Sequence, residues 1–362
     1  MQQPQPPSAA PSPAPGEWRF RLILLFASCL LSFAAGEIGL RVLGVGAPAG
    51  EDEGGGGLTF FTHDPELGWD LVPGTRDAFA TPEFDTEIAI TSEGLRAPRV
   101  FGPATPPGVR RVVVLGDSFT FGHGVEVDQA WPALLDDARE DLEIVNLAVT
   151  GYGTDQQLLR FERRLEDFQP DAVILGLFVG NIFRNARFEQ LGYSKPRFDL
   201  RDGRLELVGV PVPEGRPLRG GSRLLGVLGR GSRTVLEHLG YGEAWPVSAA
   251  ILDRLAARCA ERGAPLFVMI LPKDQLIYGS GPRRGLHERT LEVTREMLAE
   301  SQLPFLDLTP ALRQGAQRGG ERLYYPVDGH WSAAGHAVAA AALGRWLEER
   351  IPAAREEAAE PP

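Results

Sequence analysis

The sequence predicts an α/β fold in which a parallel sheet is covered by helices on both faces. Aliphatic runs such as Val112–Leu115 lack the alternation of apolar and polar residues that marks a half-exposed strand, so they indicate strands buried on both sides. Segments with helical periodicity separate these runs from residue 110 onward. Such a regular succession of strands and helices is typical of a parallel α/β sheet.

Five strands and five helices follow from these patterns. The predicted strands are 111–116, 142–147, 171–178, 265–271 and 304–308. The predicted helices are 128–140, 154–168, 247–262, 286–301 and 332–350. The alternation is interrupted at 182–245, which is rich in Arg, Gly and Pro and has weak periodicity. This stretch is too long for a plain loop, so we interpret it as an insertion or cap.

Composition divides the rest of the chain into further segments. Residues 1–21 form a tail that begins rich in Pro, Gln, Ala and Ser, and we expect it to be disordered. Residues 46–109 comprise a Gly-rich linker and a small β-rich preface of short alternating stretches. The main domain is predicted at 110–350, followed by a second disordered tail at 351–362.

Residues 22–45 are predicted to be a signal anchor or a cleaved signal peptide. Arg19 and Arg21 precede an apolar run that carries no charge until Glu37. A basic flank followed by such a run is typical of export signals, and Ser32–Ala34 would suit a signal peptidase. Without cleavage, the helix would anchor the main domain to the membrane outside the cytoplasm, in the periplasm or at the cell surface. With cleavage, the protein would be secreted.

Net charge argues against a nucleic-acid partner, and the cysteine content argues against a cysteine metal cluster. The net charge is −11 and no long basic run occurs, which argues against binding to nucleic acid. Cys29 and Cys259 are the two cysteines of the chain, too few for a cysteine metal cluster and too dissimilar in context to predict a disulfide. We therefore expect no metal site built from cysteines.

Ser118 lies where the first predicted strand of the main domain ends, in VVVLGDSFTFGHGV, Val112–Val125. In open parallel sheets, ligands bind just beyond the carboxyl ends of the strands. Ser118 could therefore be a nucleophile. A serine at the start of a helix is also a common N-cap, so the motif alone leaves both roles open.

Two further candidates follow the second and third strands. Gly151, in NLAVTGYGTDQQ, could expose a backbone N–H to a developing oxyanion, or could simply supply a positive φ angle. Asn181 comes directly after the third strand, where its amide could donate to the same oxyanion or form a turn.

A carboxylate and a histidine lie close together near the end of the main domain. Asp328 and His330 precede a helix that Ser332 would cap, and the Asp could orient the His as a general base. A surface turn is the alternative. Of the other histidines, we expect His123 to line the pocket and His336 to be a packing or capping residue.

These four stretches together resemble the SGNH hydrolases, also called GDSL-like lipases and esterases. GDSFTFGHGV is similar to the first family block, Gly151 and Asn181 match the second and third, and Asp328 with His330 matches the last. The resemblance implies a flavodoxin-like three-layer α/β/α fold with a parallel sheet of about five strands. It also implies a Ser118–His330–Asp328 triad and an oxyanion hole formed by Ser118, Gly151 and Asn181.

The sequence departs from the family pattern at two positions. Ile182 stands where the third block usually has Asp, which leaves the local loop bonding open. One residue, not two, separates Asp328 from His330, a form that resembles exported relatives acting on acetyl groups of polysaccharides.

The resemblance implies an enzyme that cleaves ester bonds with a serine nucleophile and no cofactor. Carboxylesterase or O-deacetylase activity on an ester-bearing small molecule, envelope glycan or lipid is the expected function. An O-acyltransferase acting on an exported polysaccharide and a non-catalytic glycan-binding protein are the alternatives. The insertion carries five arginines that we interpret as a solvated surface, the alternative being a pocket for anionic substrates: Arg184, Arg187, Arg197, Arg201 and Arg204.

Overall fold

The computed structural model describes residues 17–42, 59–214 and 241–351. Its contacts divide the chain into two compact units, with the N-terminal helix in the first and every described residue from 59 onward in the second. Residues 1–16 of the first predicted tail and 352–362 of the second lie outside the described residues, as does most of the predicted linker. Ile351, the first residue of the second predicted tail, is described and is buried.

The N-terminal helix, α1 (Glu17–Val42), contains the predicted export segment. Arg21–Leu40 is 20 residues long with a mean hydropathy of 2.0, long and apolar enough to cross a membrane, although signal sequences share these features. Residues 17–21 were predicted to belong to the disordered tail, and this is wrong. They continue the helix, because Trp18, Arg19 and Arg21 are compatible with helical structure and no proline or glycine interrupts them.

From residue 59 onward, hairpins come first and alternating strands and helices follow. The elements up to the insertion are β1 (Phe61–Asp64), β2 (Gly68–Leu71), β3 (Arg76–Ala80), β4 (Asp85–Ala89), β5 (Arg110–Leu115), α2 (Ser118–Phe121), α3 (Trp131–Ala138), β6 (Leu142–Asn146), α4 (Thr154–Phe168) and β7 (Ala172–Phe178). The remaining elements are α5 (Asn181–Asn185), β8 (Glu189–Gln190), β9 (Tyr193–Ser194), β10 (Arg197–Arg201), β11 (Arg204–Val208), α6 (Tyr241–Glu261), β12 (Leu266–Leu271), α7 (Asp274–Ile277), α8 (Gly281–Glu300), β13 (Phe305–Asp307), α9 (Thr309–Gln317) and α10 (Ala333–Glu348).

Five parallel strands form the central sheet, in the order β13-β12-β7-β5-β6. Every residue of β6, β7 and β12 is buried, as expected for strands covered on both faces. On one side α3 packs against α10, which also contacts α9, and on the other α4 packs against α6. The predicted α/β fold with a five-stranded parallel sheet and flanking helices is therefore confirmed.

The preface consists of two antiparallel hairpins, β1–β2 and β3–β4. Apolar side chains of the preface, including Trp69, form a second core with residues that follow β5 and β6, including Phe121 and Tyr152. The Trp69 indole N–H donates to the Thr150 carbonyl at 3.2 Å. The preface thus supports the loops that carry two of the candidate site residues.

The segment predicted as an insertion contains regular structure that its weak periodicity did not indicate. Hairpins β8–β9 and β10–β11 occupy its described first half, and α6 already begins at residue 241. Asp202 and Gly203 turn β10 into β11 with φ angles of 49° and 74°. An Asp-Gly pair favours the type I′ turn, which requires positive φ at both positions, so this hairpin had a recognisable sequence signal.

Candidate active site

The candidate residues gather at the carboxyl edge of the central sheet. Ser118, Gly151 and Asn181 follow β5, β6 and β7, which are neighbouring strands. Asp328 and His330 come from the loop between α9 and α10. Because the strands are parallel, their carboxyl ends lie at one edge of the sheet, as the sequence spacing predicts.

Ser118 is the first residue of the short helix α2, and it does not cap that helix. The cap is Asp117, whose carboxylate accepts a hydrogen bond from the Phe119 N–H at 3.1 Å. The Ser118 side chain is left available for another contact. Its Oγ lies 2.7 Å from Nε2 of His330, which is 212 positions further along the chain.

His330 is held between the Ser118 hydroxyl and the Asp328 carboxylate. Its Nδ1 lies 2.6 Å from Oδ1 of Asp328, and its backbone N–H donates to the same oxygen at 3.0 Å. The one-residue spacing therefore allows a single carboxylate oxygen to orient both the ring and the backbone of His330. Nδ1 bonded to a carboxylate carries the proton, which leaves Nε2 to accept from Ser118.

His123 is a second histidine on the same carboxylate. Its Nε2 donates to Oδ2 of Asp328 at 3.3 Å, and its ring centroid lies 4.3 Å from that of His330. Burial, followed by the charge of His330, lowers the pKa of His123 to about 4, so the ring is neutral at pH 7. We predicted that His123 lines the pocket. It is absent from the lining of the cavity beside His330 and instead contacts the back of Asp328.

The two histidines determine the charge state of Asp328. Burial alone would raise its pKa, but hydrogen bonds from His123 and His330 outweigh that effect and lower the pKa far below the usual range. Asp328 is therefore an anion at neutral pH. A fixed negative charge beside Nδ1 stabilises the imidazolium form of His330.

Gly151 and Asn181 have the properties expected of oxyanion-hole residues. Gly151 has φ = 86°, a backbone conformation that favours glycine. Asn181 is fully buried, and its amide Nδ2 has no hydrogen-bond partner among the described residues. A buried N–H donor without an acceptor is costly unless a ligand supplies the acceptor. The Ser118 N–H lies in the first turn of α2, where no intrahelical acceptor exists.

Arg184 ties three of these loops together, which contradicts the prediction that it belongs to a solvated surface. Its Nη1 donates to Asp117 Oδ2 at 2.6 Å, to Asn181 Oδ1 at 2.9 Å and to the Tyr152 carbonyl at 3.2 Å. The bond to Asn181 Oδ1 fixes the amide orientation and leaves Nδ2 as the available donor. Ile182, at the position where the third block usually has Asp, is buried, and the bonds from Arg184 connect this loop to Asp117.

A cavity of about 400 Å³ opens beside His330. The insertion contributes two of its walls, α5 and the turn that follows it, and the loop after β12 contributes a third. The lining includes Phe119, Phe178, Arg184, Arg187, Lys273 and His330. The solvated-surface prediction is therefore also wrong for Arg187, whereas Arg201 is 61% exposed and agrees with it.

Lys273 was not singled out from the sequence. A signal was available, because Lys273 follows the fourth predicted strand at the edge where the other candidates lie. His336 does behave as predicted for a packing or capping residue. It is buried, and its Nδ1 accepts the Trp131 N–H at 3.2 Å, at the start of α3.

His123, Asp328 and His330 are close enough to hold a metal ion, since one ligand atom from each lies within 4.8 Å of the others. The hydrogen bonds argue against such a site. Both ring nitrogens of His330 are engaged, one by Asp328 and one by Ser118, and Nε2 of His123 is engaged by Asp328. The arrangement suits transfer of a proton from Ser118.

Comparison with known proteins agrees with this geometry. The sequence model of the GDSL-like Lipase/Acylhydrolase family matches residues 114–338. An arylesterase from Vibrio mimicus is 32% identical over 71 residues, and a thioesterase 1/protease 1/lysophospholipase L1 from Escherichia coli is 34% identical over 67 residues. Each stretch covers 18% of this chain and 36% or 32% of the relative, so the chain spans about a third of the length of the curated relatives it matches.

Solved structures of similar shape include a crystal structure of TesA and one of the esterase EstA from Pseudoalteromonas. They are 16% and 13% identical to this chain, with TM-scores of 0.41 and 0.40. They cover 66% and 67% of this chain and 99% and 98% of their own. The family match extends from the end of β5 into α10 and includes every candidate site residue. The chain therefore belongs to the GDSL-like lipase/acylhydrolase family.

Proposed function

We propose that this protein hydrolyses carboxylic esters, with Ser118 as nucleophile, His330 as general base and Asp328 as the residue that orients His330. The observation that carries the proposal is the continuous hydrogen-bonded chain Ser118–His330–Asp328, with distances of 2.7 and 2.6 Å. A hydroxyl, an imidazole and a carboxylate in this order are the parts needed to activate a serine.

The proposed reaction proceeds through an acyl-enzyme. His330 Nε2 removes the hydroxyl proton while Ser118 Oγ attacks the ester carbonyl carbon, and the negative charge moves to the carbonyl oxygen. The imidazolium then donates its proton to the departing alcohol oxygen as the ester C–O bond breaks. Water, deprotonated by His330, attacks the acyl group and releases the carboxylic acid and free Ser118.

We assign the oxyanion hole to the backbone N–H groups of Ser118 and Gly151 and to Nδ2 of Asn181. The unpartnered, buried Asn181 amide supports this assignment, because an incoming oxyanion would satisfy it. Loss of one such donor typically costs about 2.7–4 kcal/mol of transition-state stabilisation.

We further propose that α1 anchors the chain in a membrane with the sheet domain outside the cytoplasm, in the periplasm or at the cell surface. The apolar stretch Arg21–Leu40 supports membrane association. Arg19 and Arg21 at its N-terminal end support an orientation with that end in the cytoplasm. Secretion after cleavage is the alternative that the same sequence permits.

The test is hydrolysis of p-nitrophenyl acetate by the full-length protein in detergent. We expect Ser118→Ala and His330→Ala each to lower kcat by about 10³-fold or more, because neither proton transfer nor acylation can proceed. Ser92→Ala, at an exposed serine in a turn of the preface, is the matched control and should retain full activity. Equal activity in the wild type and the Ser118→Ala variant would refute the proposal.

A further inference from the structure

The base loop, residues 325–330, carries Asp328 and His330 and satisfies only part of its own backbone hydrogen bonding. Three of its backbone N–H groups bond to acceptors inside the loop, those of Tyr325, Gly329 and His330. Pro326 has no N–H to donate. The N–H groups of Val327 and Asp328 remain, and their acceptor comes from another part of the chain.

That acceptor is the carboxylate of Glu83, in the turn between β3 and β4. The Val327 N–H donates to Oε1 at 3.0 Å and to Oε2 at 3.2 Å, and the Asp328 N–H donates to Oε2 at 2.7 Å. Glu83 precedes Asp328 by 245 positions. Hydrogen bonds to a carboxylate are about twice as strong as those between neutral groups, so one side chain of the preface holds the backbone beside the triad.

The turn that carries Glu83 is itself ordered. Thr81 Oγ1 accepts hydrogen bonds from the backbone N–H groups of Glu83 and Phe84, both at 3.2 Å. The buried Phe84 ring packs against the Tyr325 ring in the base loop, with ring centroids 5.0 Å apart. A carboxylate on an ordered turn loses less conformational entropy when it holds the base loop than one on a mobile segment would.

The preface also contacts the loop that follows the nucleophile. Arg96, which comes after β4, donates to the carbonyls of Phe121 at 3.0 Å and of Val125 at 2.6 Å. The Tyr325 hydroxyl donates to the Gly124 carbonyl at 2.6 Å, and this bond connects the same loop to the base loop. The preface therefore holds both loops whose relative position sets the distance between the nucleophile and the base.

Glu83 is placed to affect the reaction through Asp328 rather than through the substrate. It does not line the cavity beside His330. The peptide that it holds belongs to Asp328, whose Oδ1 is bonded to both the ring and the backbone N–H of His330. A shift of that peptide would move the carboxylate away from Nδ1 of His330, and a displacement of about 1 Å can slow an enzyme about 100-fold.

We propose that Glu83 is a positioning residue, which fixes the Asp328 peptide and thereby the carboxylate that orients His330. This inference rests on the proposed ester hydrolysis and adds a residue that supports it. It also makes the preface part of the active site, although Glu83 lies outside residues 114–338, which the family model matches. A chain reduced to the matched residues would lack the acceptor for the Val327 and Asp328 N–H groups.

Steady-state hydrolysis of p-nitrophenyl acetate by the full-length protein in detergent tests the role of Glu83. We expect Glu83→Ala to lower kcat about tenfold with KM little changed, because the base is less well oriented while the cavity is intact. Glu83→Gln retains an oxygen that can accept an N–H and should restore most of the loss. Glu87→Ala removes a carboxylate from the same hairpin, where its partner is the exposed Arg76, and should match the wild type.

Hydrogen–deuterium exchange of the base loop measures the contact without turnover. We expect the Val327 and Asp328 amides to exchange faster in Glu83→Ala and at the wild-type rate in Glu87→Ala. A wild-type kcat in Glu83→Ala, or equal losses of kcat in Glu83→Ala and Glu83→Gln, would overturn the positioning role even if Ser118 is the nucleophile.

The exchange measurement also separates this inference from the proposed function. Hydrolysis that does not depend on Ser118 would refute the serine mechanism, and faster exchange in Glu83→Ala would still support the contact between Glu83 and the base loop. Unchanged exchange in that variant would overturn the contact. Thermal unfolding of each variant would confirm that it is folded.

Discussion

Asp328 accepts hydrogen bonds from two histidine rings, and the two rings have different surroundings. His330 reaches Ser118 on its far side, whereas His123 packs between Phe79 and Phe84, with ring centroids 5.1 and 5.3 Å away. The neutral His123 ring therefore fixes the second carboxylate oxygen without competing for the proton that His330 would move. We interpret His123 as a positioning residue, which acts on the reaction through Asp328.

Replacing His123 tests this positioning role. His123→Phe keeps an aromatic ring packed against Phe79 and Phe84 and removes the hydrogen bond to Asp328. We expect kcat to fall about tenfold with KM little changed, since a charged hydrogen bond contributes about 1.5–3 kcal/mol. His123→Gln offers an amide N–H in place of the imidazole and should restore most of the loss. Steady-state kinetics on p-nitrophenyl acetate would measure both. Equal losses in the two variants would show that packing matters and the hydrogen bond does not.

Hydrogen-bonded pairs in the site could be predicted from the sequence where both residues lie in one local motif. Asp328 and His330 are two positions apart, so their pairing could be expected. His123 and Asp328 are 205 positions apart, and Arg184 and Asp117 are 67 apart. Nothing in a single sequence marks such partners, because any acidic residue at the sheet edge could have received the bond.

Helix α10 is connected to the start of α3 by a buried histidine. His336 accepts the Trp131 N–H, which is one of the N–H groups that a helix N-terminus leaves without an intrahelical partner. Burial, followed by the positive charges of Arg96 and His330, lowers the pKa of His336 to about 3. His336 must therefore remain neutral for the two helices to stay paired.

Acid should weaken the fold through this histidine. The folded-state pKa of about 3 lies below the usual 6.5, so the unfolded chain takes up a proton at His336 that the folded chain does not. The contribution of His336 is fully present above pH 6.5 and decreases as pH falls toward 3, by at most about 1.4 kcal/mol per pH unit. Urea unfolding between pH 7.5 and 5 should show a smaller decrease in His336→Gln, whose amide oxygen can still accept the Trp131 N–H. Identical pH dependence in both proteins would contradict this assignment.

Strands could be predicted from the sequence where burial on both faces produces a continuous run of apolar residues. The five strands of the sheet begin and end within one residue of their predicted bounds, and α4 begins and ends as predicted. The short helices α2, α5 and α7 were not predicted, because four or five residues are too few for a helical period to emerge. Helix α9 was missed for a similar reason, since its nine residues include Pro310 and Gly315.

At the scale of the whole molecule, α1 differs in its surroundings from every other helix of the described ranges. Its membrane-length stretch has no share buried within the protein. At 1.5 Å per residue, 20 residues span about 30 Å, the thickness of the hydrocarbon core of a bilayer. In a bilayer, the lipid tails would cover the apolar side chains of α1, whose exposure to water is unfavourable.

We expect the full-length chain, expressed in a bacterial host, to sediment with membranes and to resist an alkaline wash. Replacing Leu25 and Leu30 together by Asp should release it, since each charge near the centre of a span costs about 2.5–3.5 kcal/mol. Leu207→Asp, at a partly exposed position in β11, is the control and should leave the chain in the membrane fraction. A soluble chain whose N-terminal sequence begins shortly after Ala34 would instead establish the cleaved signal peptide.

The order in which the chain is synthesised has a consequence for the 212-residue separation between Ser118 and His330. The ribosome completes the nucleophile and the first three strands of the sheet long before it reaches the general base. On the proposed mechanism, a nascent chain is therefore inert toward esters until the loop before α10 has emerged and docked. An unfinished or truncated product would carry an exposed serine without the means to activate it, so the esters of the cell that makes the protein are spared during its synthesis.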